Sequence, residues 1–401
     1  MPSRTKRKKN LNMKIQYSPK NLDQYLNNSS WLAPSTATKL SEKWMDYQGI
    51  KNWEGLLDPL DENLRGEIIR YGHFVESAYI SCNIDTTSSL YATCRYTKRK
   101  LLNESGFTGT GYQVTKNLTA NSDLQLPKWL ERAPSWMAMQ SSWIGYVAVC
   151  QDKKEIARLG RRDVVIALRG TVTCLEWLEN LRATLTPLPY PDSDSDSDSH
   201  SGPMVESGFL SLYTSNLRNR PSLQTILREE ISRILEKYGA EQLSFTITGH
   251  SLGAALAILA AYDIKETFKN SPLVTVISFA GPRVGNWSLR CSLEKQGTKV
   301  LRIVNSDDLI TKVPGFVVEN NERNCTAANW VQKLVYADVG CELRLSSRES
   351  PYLNGINIAT CHDLETYLHL VKGFVSSNCP FRKTARKMIM NNNTTCSFLK
   401  I

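Results

Sequence analysis

Phe245-Thr-Ile-Thr-Gly-His-Ser-Leu-Gly-Ala254, continuing as Ala255-Leu-Ala-Ile-Leu-Ala-Ala-Tyr262, reads as a β-strand, a tight turn centred on Ser251 and a helix of small residues. Gly249, Ser251 and Gly253 fit the pattern G-x-S-x-G, a nucleophile elbow. A serine on a sharp strand-to-helix turn takes a strained backbone conformation. Its neighbours two positions away must be nearly free of side chain for the chain to pass. The turn lifts the hydroxyl above the sheet and sets the unpaired N–H groups of the helix N-terminus beneath a developing oxyanion. Five letters alone occur by chance. The β-rich strand before them and the Ala-rich helix after them make Ser251 a candidate nucleophile rather than part of a packing turn.

Outward from the elbow the same alternation of strand and helix continues. Gly145-Tyr-Val-Ala-Val149, Asp163-Val-Val-Ile-Ala-Leu-Arg-Gly170, Leu273-Val-Thr-Val-Ile-Ser-Phe-Ala280 and Lys299-Val-Leu-Arg-Ile-Val304 read as strands. Leu223, Ile226, Leu227, Ile231, Ile234, Leu235 and Tyr238 follow helical spacing from about Pro221, and Gly239 stops them. Near-continuous β-branched runs separated by helices indicate strands buried on both faces of a mostly parallel sheet, an α/β architecture. Upstream, Leu64, Ile68, Tyr71 and Val75 share one face of an amphipathic helix. Residues 81–135 carry no clear period. Gly106, Gly109 and Gly111 mark loops there, and no strand leads into them as a phosphate loop requires.

Composition excludes several classes. The formal net charge of +10 is concentrated at the ends: residues 1–14 and 372–401 each carry six basic and no acidic side chains, leaving the body slightly acidic. A nucleic-acid-binding fold is therefore not indicated, and the tails read as solvated ends or as contacts for an anionic surface. The apolar run after the elbow is about ten residues, short of the roughly 20 needed to cross a bilayer. The cysteines at 82, 94, 150, 174, 291, 325, 341, 361, 379 and 396 form no C-x-x-C pair and no zinc-ligand spacing. The first residues lack the long apolar stretch of a secretory signal, so the expectation is an intracellular compartment with reduced thiols. Residues 192–199 alternate Asp and Ser. They lack the glycine turn and glutamate of a calcium loop and read as a solvated surface segment.

A serine nucleophile needs a base within hydrogen-bond reach and an acid that orients the base. Of the five histidines, His250 belongs to the elbow and should point away from the serine. His73 lies on the upstream helix, where a structural role is expected, and His200 lies beside the Asp-Ser run. His362 and His369 follow the serine, the chain order of α/β-hydrolases. His362 sits at a loop-to-helix junction and is the candidate base, while His369 lies two turns further on. The acid is expected in the loop after strand 299–304, at the carboxyl end of a parallel strand. Asp307 and Asp308 both qualify by spacing. For the oxyanion, one donor is the N–H of Leu252, which follows the nucleophile. Thr171, after Arg169-Gly170 at the end of another strand, is positioned to give an N–H and a hydroxyl. Arg169 itself is expected to make a structural ion pair.

Together, Gly249-His-Ser-Leu-Gly253, Arg169-Gly-Thr171, Phe279-Ala-Gly-Pro-Arg-Val-Gly285, Asn305-Ser-Asp-Asp308 and His362-Asp-Leu-Glu-Thr-Tyr-Leu-His369 resemble the class 3, fungal triacylglycerol lipase-like family. Asn52-Trp-Glu-Gly-Leu-Leu-Asp-Pro59, Ile69-Arg-Tyr-Gly72 and Trp143-Ile-Gly-Tyr-Val147 resemble its plant phospholipase A1 branch. The resemblance implies an α/β-hydrolase fold and a triad of Ser251, Asp308 and His362, choosing Asp308 over Asp307. It implies an amphipathic lid at Val172–Leu181. The implied substrate is a membrane glycerolipid cleaved at its sn-1 ester, with peripheral contact to the membrane surface and neither metal nor cofactor. It also implies a plastid location, with the cytoplasm as the alternative because the Lys-dense start departs from a usual transit peptide. The expected organisation is a basic tail (1–40), a helical N-terminal extension (41–135), a hydrolase core (136–375) and a second basic tail (376–401). The rival readings are a lipase-like scaffold with a dead site and a hydrolase of small esters or thioesters.

Overall fold

The computed structural model describes residues 40–121, 141–171, 184–188, 202–314, 335–351, 353 and 357–378. The basic tails, the segment expected as a lid, the Asp-Ser run and His200 lie outside the described residues. In chain order, the elements that position the site are α1 (Glu62–Ser81), β1 (Tyr112–Asn121), β2 (Ser141–Cys150), β3 (Arg162–Leu168), α2 (Leu223–Tyr238), β4 (Leu243–His250), α3 (Leu252–Thr267), β5 (Leu273–Phe279), β6 (Lys299–Asn305), β7 (Cys341–Leu345), α4 (Ile358–His362) and α5 (Leu364–Gly373).

These seven strands lie side by side in the order of the chain. β1 pairs with β2, and β2 with β3, antiparallel; every later pair is parallel. Val164, Ile166 and Leu168 of β3 enter one apolar cluster with α2 and α3, while Val165 and Ala167 enter another with α1 and α5. Alternate side chains thus face opposite helical layers, which is why the strand reads as an unbroken apolar run. α3 is buried continuously from Leu252 to Ile264. Its small side chains let the axis lie close to the sheet. The architecture is the α/β-hydrolase fold.

α2 starts at Leu223 because Ser222 accepts from the Thr225 N–H as its N-cap. α1 starts where Asp61 accepts from the Asn63 and Leu64 N–H groups. One stretch inside the expected helical extension is different: residues 112–121 form β1, an edge strand of the main sheet. Its register against β2 shifts between Val114 and Lys116 and again between Leu118 and Thr119. Each irregularity breaks the period of two, so the strand leaves no regular apolar alternation in the sequence.

A buried ionic cluster anchors α1 and β1 to the start of β3. The Asp163 carboxylate, fully buried, accepts from Tyr112 Oη (2.8 Å), Tyr71 Oη (3.0 Å), Ser244 Oγ (3.0 Å) and Thr246 Oγ1 (3.0 Å). Arg70 reaches it at 3.3 Å and Arg161 at 3.7 Å, and Arg70 also holds Glu67 at 2.6 Å. Burial by itself would raise the Asp163 carboxyl; Arg161 and Arg70 outweigh it and hold the group below the usual carboxylate range. Removing one member of such a cluster leaves buried charge uncompensated. Asp163→Asn is expected to lower stability by about 3–5 kcal/mol, measured by urea denaturation, while leaving the turnover of the folded fraction unchanged.

Candidate active site

Ser251 follows β4 directly and caps α3 with φ 57° and ψ −124°. That left-handed backbone is costly for a residue with a Cβ and persists only where its surroundings over-determine it. Here the parallel pairing of β4 with β3 and β5 holds one side, and the Ser251 N–H donates to Phe279 O at 3.0 Å. A Cβ on Gly249 would lie 2.3 Å from Gly253 O, and one on Gly253 would lie 2.4 Å from Leu168 O. Both positions therefore require glycine for close approach, as the motif reading expected.

Above the elbow, Ser251 Oγ lies 2.9 Å from His362 Nε2, and His362 Nδ1 lies 2.7 Å from Asp308 Oδ2. All three side chains are buried. A carboxylate only accepts, so Nδ1 carries the proton of the neutral ring and Nε2 is left as an acceptor for the serine hydroxyl. Asp308 follows the carboxyl end of β6. Its Oδ2 also accepts from Tyr367 Oη (2.8 Å), and Oδ1 accepts from the Ile310 N–H (2.9 Å). Burial, followed by the Asp308 charge, pushes the Tyr367 phenol well above its ordinary value, so it remains a donor. Asp307 turns the other way, to Arg348 (2.8 Å) and Ser346 Oγ (3.0 Å). The pair that spacing left open is thus divided by geometry.

His362 closes the short helix α4, and Asp363 then caps α5 by accepting from the Glu365 N–H. Asn305 ties this turn to the sheet, since its amide donates to Cys361 O (2.9 Å) and Ser347 Oγ (2.7 Å). Two further histidines lie elsewhere: His73 pairs with Glu76 at 2.8 Å and His369 with Ser350 Oγ at 2.9 Å.

Beside the triad runs a second chain of hydrogen bonds absent from the sequence reading. The Gly170 N–H donates to Tyr79 Oη (2.8 Å), Tyr79 Oη lies 2.7 Å from His250 Nδ1, and His250 Nε2 lies 2.7 Å from His362 O. A carbonyl cannot donate, so Nε2 of His250 carries its proton. Burial, with the neighbouring His362 ring as a second cause, holds His250 well below the ordinary histidine value and hence neutral. Tyr79 Oη must then be the donor to Nδ1. This chain links α1, the segment before Thr171, the elbow and the turn that carries His362. Tyr79 and His250 are 171 positions apart, and no local pattern announces their meeting.

The oxyanion candidates sit against the same turn. The Leu252 N–H is the first of α3 and has no intrahelical acceptor. Gly170 approaches so closely that a Cβ on it would lie 2.9 Å from Ser251 Cβ. Next to it, Thr171 Oγ1 is buried and finds no hydrogen-bond partner among the described residues. Among the described residues Arg169 makes no ion pair of the kind expected. Its guanidinium donates to Trp143 O (3.1 Å), Gly170 O (2.6 Å) and Ser142 Oγ (2.8 Å). A carbonyl and a hydroxyl at the start of β2, with the carbonyl of Gly170, supply these acceptors.

An α/β-hydrolase fold with a Ser-His-Asp chain at its elbow defines a class of ester hydrolases. The family model for lipase (class 3) matches residues 165–318, a span that holds Ser251 and Asp308 and stops short of His362. The chain is 63% identical over 382 residues to phospholipase A(1) DAD1, chloroplastic, of Arabidopsis thaliana, covering 92% of this chain and 85% of that protein. It is 42% identical to galactolipase DONGLE, chloroplastic, of the same plant, with coverages of 84% and 72%. To phospholipase A1-Igamma1, chloroplastic, also from Arabidopsis thaliana, it is 38% identical, with coverages of 90% and 73%. The chain belongs to the class 3 lipase family, in its plant phospholipase A1 branch. It is an ester hydrolase of the lipase type, and the compartment shared by these relatives is the plastid rather than the cytoplasm.

The depressed His250 value has a consequence for stability. Unfolded, this ring takes up a proton below about pH 6.5; folded, it does so only at much lower pH. The unfolded chain therefore binds more protons in that window, and stability is lost as pH falls below about 6.5 and recovered above it, at up to about 1.4 kcal/mol per pH unit. Urea midpoints taken between pH 7 and pH 5 are expected to fall more steeply for the wild type than for His250→Gln. Parallel slopes would reject this account.

Proposed function

We propose that the chain hydrolyses the sn-1 acyl ester of membrane glycerolipids, phosphatidylcholine foremost, with galactolipids and triacylglycerol as further substrates. Ser251 is the nucleophile, His362 the base, Asp308 the residue that orients and stabilises the imidazolium, and Leu252 and Thr171 the oxyanion donors. The single observation that carries the reading is the continuous path Ser251 Oγ–His362 Nε2/Nδ1–Asp308 Oδ2, at 2.9 and 2.7 Å.

Ser251 Oγ attacks the ester carbonyl as His362 Nε2 takes its proton. The negative oxygen of the tetrahedral adduct accepts from the Leu252 N–H and from Thr171. Collapse breaks the bond to the glycerol oxygen, which leaves as lysolipid with the proton from His362. Water then attacks the acyl-serine with His362 again as base, releasing the fatty acid and restoring Ser251. The buried carboxylate of Asp308 also accepts from Tyr367 and from the Ile310 N–H. It is therefore held in one orientation and favours the imidazolium that forms twice per cycle. The lipid assignment leans on the names of the relatives, two phospholipases A1 and a galactolipase. A dead-site scaffold is disfavoured by a complete and connected triad.

A lipid panel of phosphatidylcholine, monogalactosyldiacylglycerol and triolein with position-labelled acyl chains tests the substrate. Release from the sn-1 position of phosphatidylcholine is expected, and hydrolysis of soluble short esters alone would overturn the lipid reading. Ser251→Ala is expected to lose both hydrolysis and labelling by a fluorophosphonate probe; residual turnover at the wild-type rate would sink the nucleophile assignment. Asp308→Asn should cut kcat by about 10⁴, because the imidazole is then held in the wrong tautomer. Thr171→Val, which deletes the hydroxyl at nearly constant volume, should cut kcat by about 10²–10³ with little change in KM.

A further inference from the structure

Past the end of α1, the chain turns back on itself and brings two cysteines face to face. The Asn83 N–H donates to Thr93 O at 2.9 Å and the Arg95 N–H donates to Ser81 O at 2.8 Å. These two bonds flank Cys82 and Cys94, which oppose each other across an isolated antiparallel bridge. A pair flanked in this way is the non-hydrogen-bonded type, in which the opposed Cα atoms stand about 4.5 Å apart and the side chains are closest. Disulfides span Cα separations of about 4.4–6.8 Å, a range that includes the separation typical of this pair type. Both residues are free thiols in this structure, Cys82 buried and Cys94 half-buried.

We propose that Cys82 and Cys94 form a reversible intramolecular disulfide that locks the end of α1 to the returning strand. The oxidant is a disulfide of the glutathione or dithiol-protein type. The Cys94 thiolate, the more accessible, attacks one sulfur of that disulfide, forming a mixed disulfide and releasing the first partner thiolate. Cys82 then gives up its proton and attacks Cys94 Sγ, closing the internal bond and expelling the second partner thiolate. The chain loses two electrons and two protons, and the partner gains them.

The bond would act close to the site without entering it. The Cys82 N–H donates to Tyr79 O at 3.2 Å, one turn from the hydroxyl that holds Gly170 and His250. On the other strand, Ala92 O accepts from the Trp143 N–H at 2.8 Å, so the same lock reaches the start of β2. Oxidation therefore secures the end of α1 that carries Tyr79.

The test uses the full-length protein equilibrated in glutathione buffers of rising oxidised fraction, with free thiols then alkylated and peptides mapped by mass spectrometry. A linked Cys82–Cys94 peptide is expected to grow with the oxidised fraction and to vanish on reduction. The thermal midpoint of the oxidised wild type should rise by several degrees, and neither Cys94→Ser nor Cys82→Ala should show that rise. Activity of the reduced Cys94→Ser protein should match that of the reduced wild type. Alkylation of both thiols in fully oxidised buffer would overturn the proposal. So would linkage of Cys82 to any other cysteine, or an equal thermal shift in Cys94→Ser.

Discussion

The backbone of Ser251 is the constraint on which the rest of this structure depends. A non-glycine residue at φ 57° and ψ −124° carries strain of the order of 1–3 kcal/mol, and nothing local relieves it. The strain is held by what lies on either side. β4 is clamped by parallel neighbours along its whole length, and α3 is buried from its first residue to Ile264. A sheet in its usual place, with a helix pressed onto it, leaves the joining residue no other conformation. The Ser251 hydroxyl is delivered to a fixed point, where His362 and Asp308 reach it from later parts of the chain.

α1 gives those arrivals a common reference. Near its middle, Arg70 and Tyr71 enter the ionic cluster around Asp163 at the start of β3. At its end, Tyr79 accepts from the Gly170 N–H, just beyond the other end of the same strand, and donates to His250. One rigid helix is thus tied to both ends of β3. The segment leading to Thr171 is set relative to the elbow by an element that carries none of the triad. His250 extends the reference to His362 through the carbonyl of that residue. His362 is held at its imidazole by Asp308 and at its backbone by His250, which precedes Ser251.

How much of this was legible depended on whether the signal was local. The elbow, the strands on either side of it and α2 are written in short periodic runs, because each buries a face or both faces continuously. β1 was not legible, since two register shifts destroy its alternation. His362 could be chosen by elimination and chain order, but Asp308 could not be separated from Asp307 by spacing. What separates them is packing: Tyr367, on a helix 59 positions later, donates to Asp308, while Arg348 draws Asp307 outward. The family resemblance points to Asp308, the carboxylate that meets His362, without containing that reason. Arg169 shows the opposite case: its charge invited an ion pair, and among the described residues its acceptors are two carbonyl oxygens and the Ser142 hydroxyl. The Tyr79–His250 link is the kind of contact no window of sequence holds.

Thr171 Oγ1 joins these observations to chemistry. A buried hydroxyl with no partner costs about 1–3 kcal/mol, and native structures rarely keep such a group without cause. Its neighbour Gly170 is fixed by Tyr79 and packed against Ser251, so the segment has little freedom to turn the hydroxyl toward a ground-state acceptor. If Thr171 donates to the oxyanion, its missing bond is made when negative charge develops beside Ser251. The difference between the two states is then stabilisation that the substrate complex does not share, which is the form that accelerates a reaction. On this view the strain at Ser251 and a Thr171 hydroxyl that finds no partner among the described residues are one arrangement. Both are sustained by the sheet and α1 rather than by the residues around them.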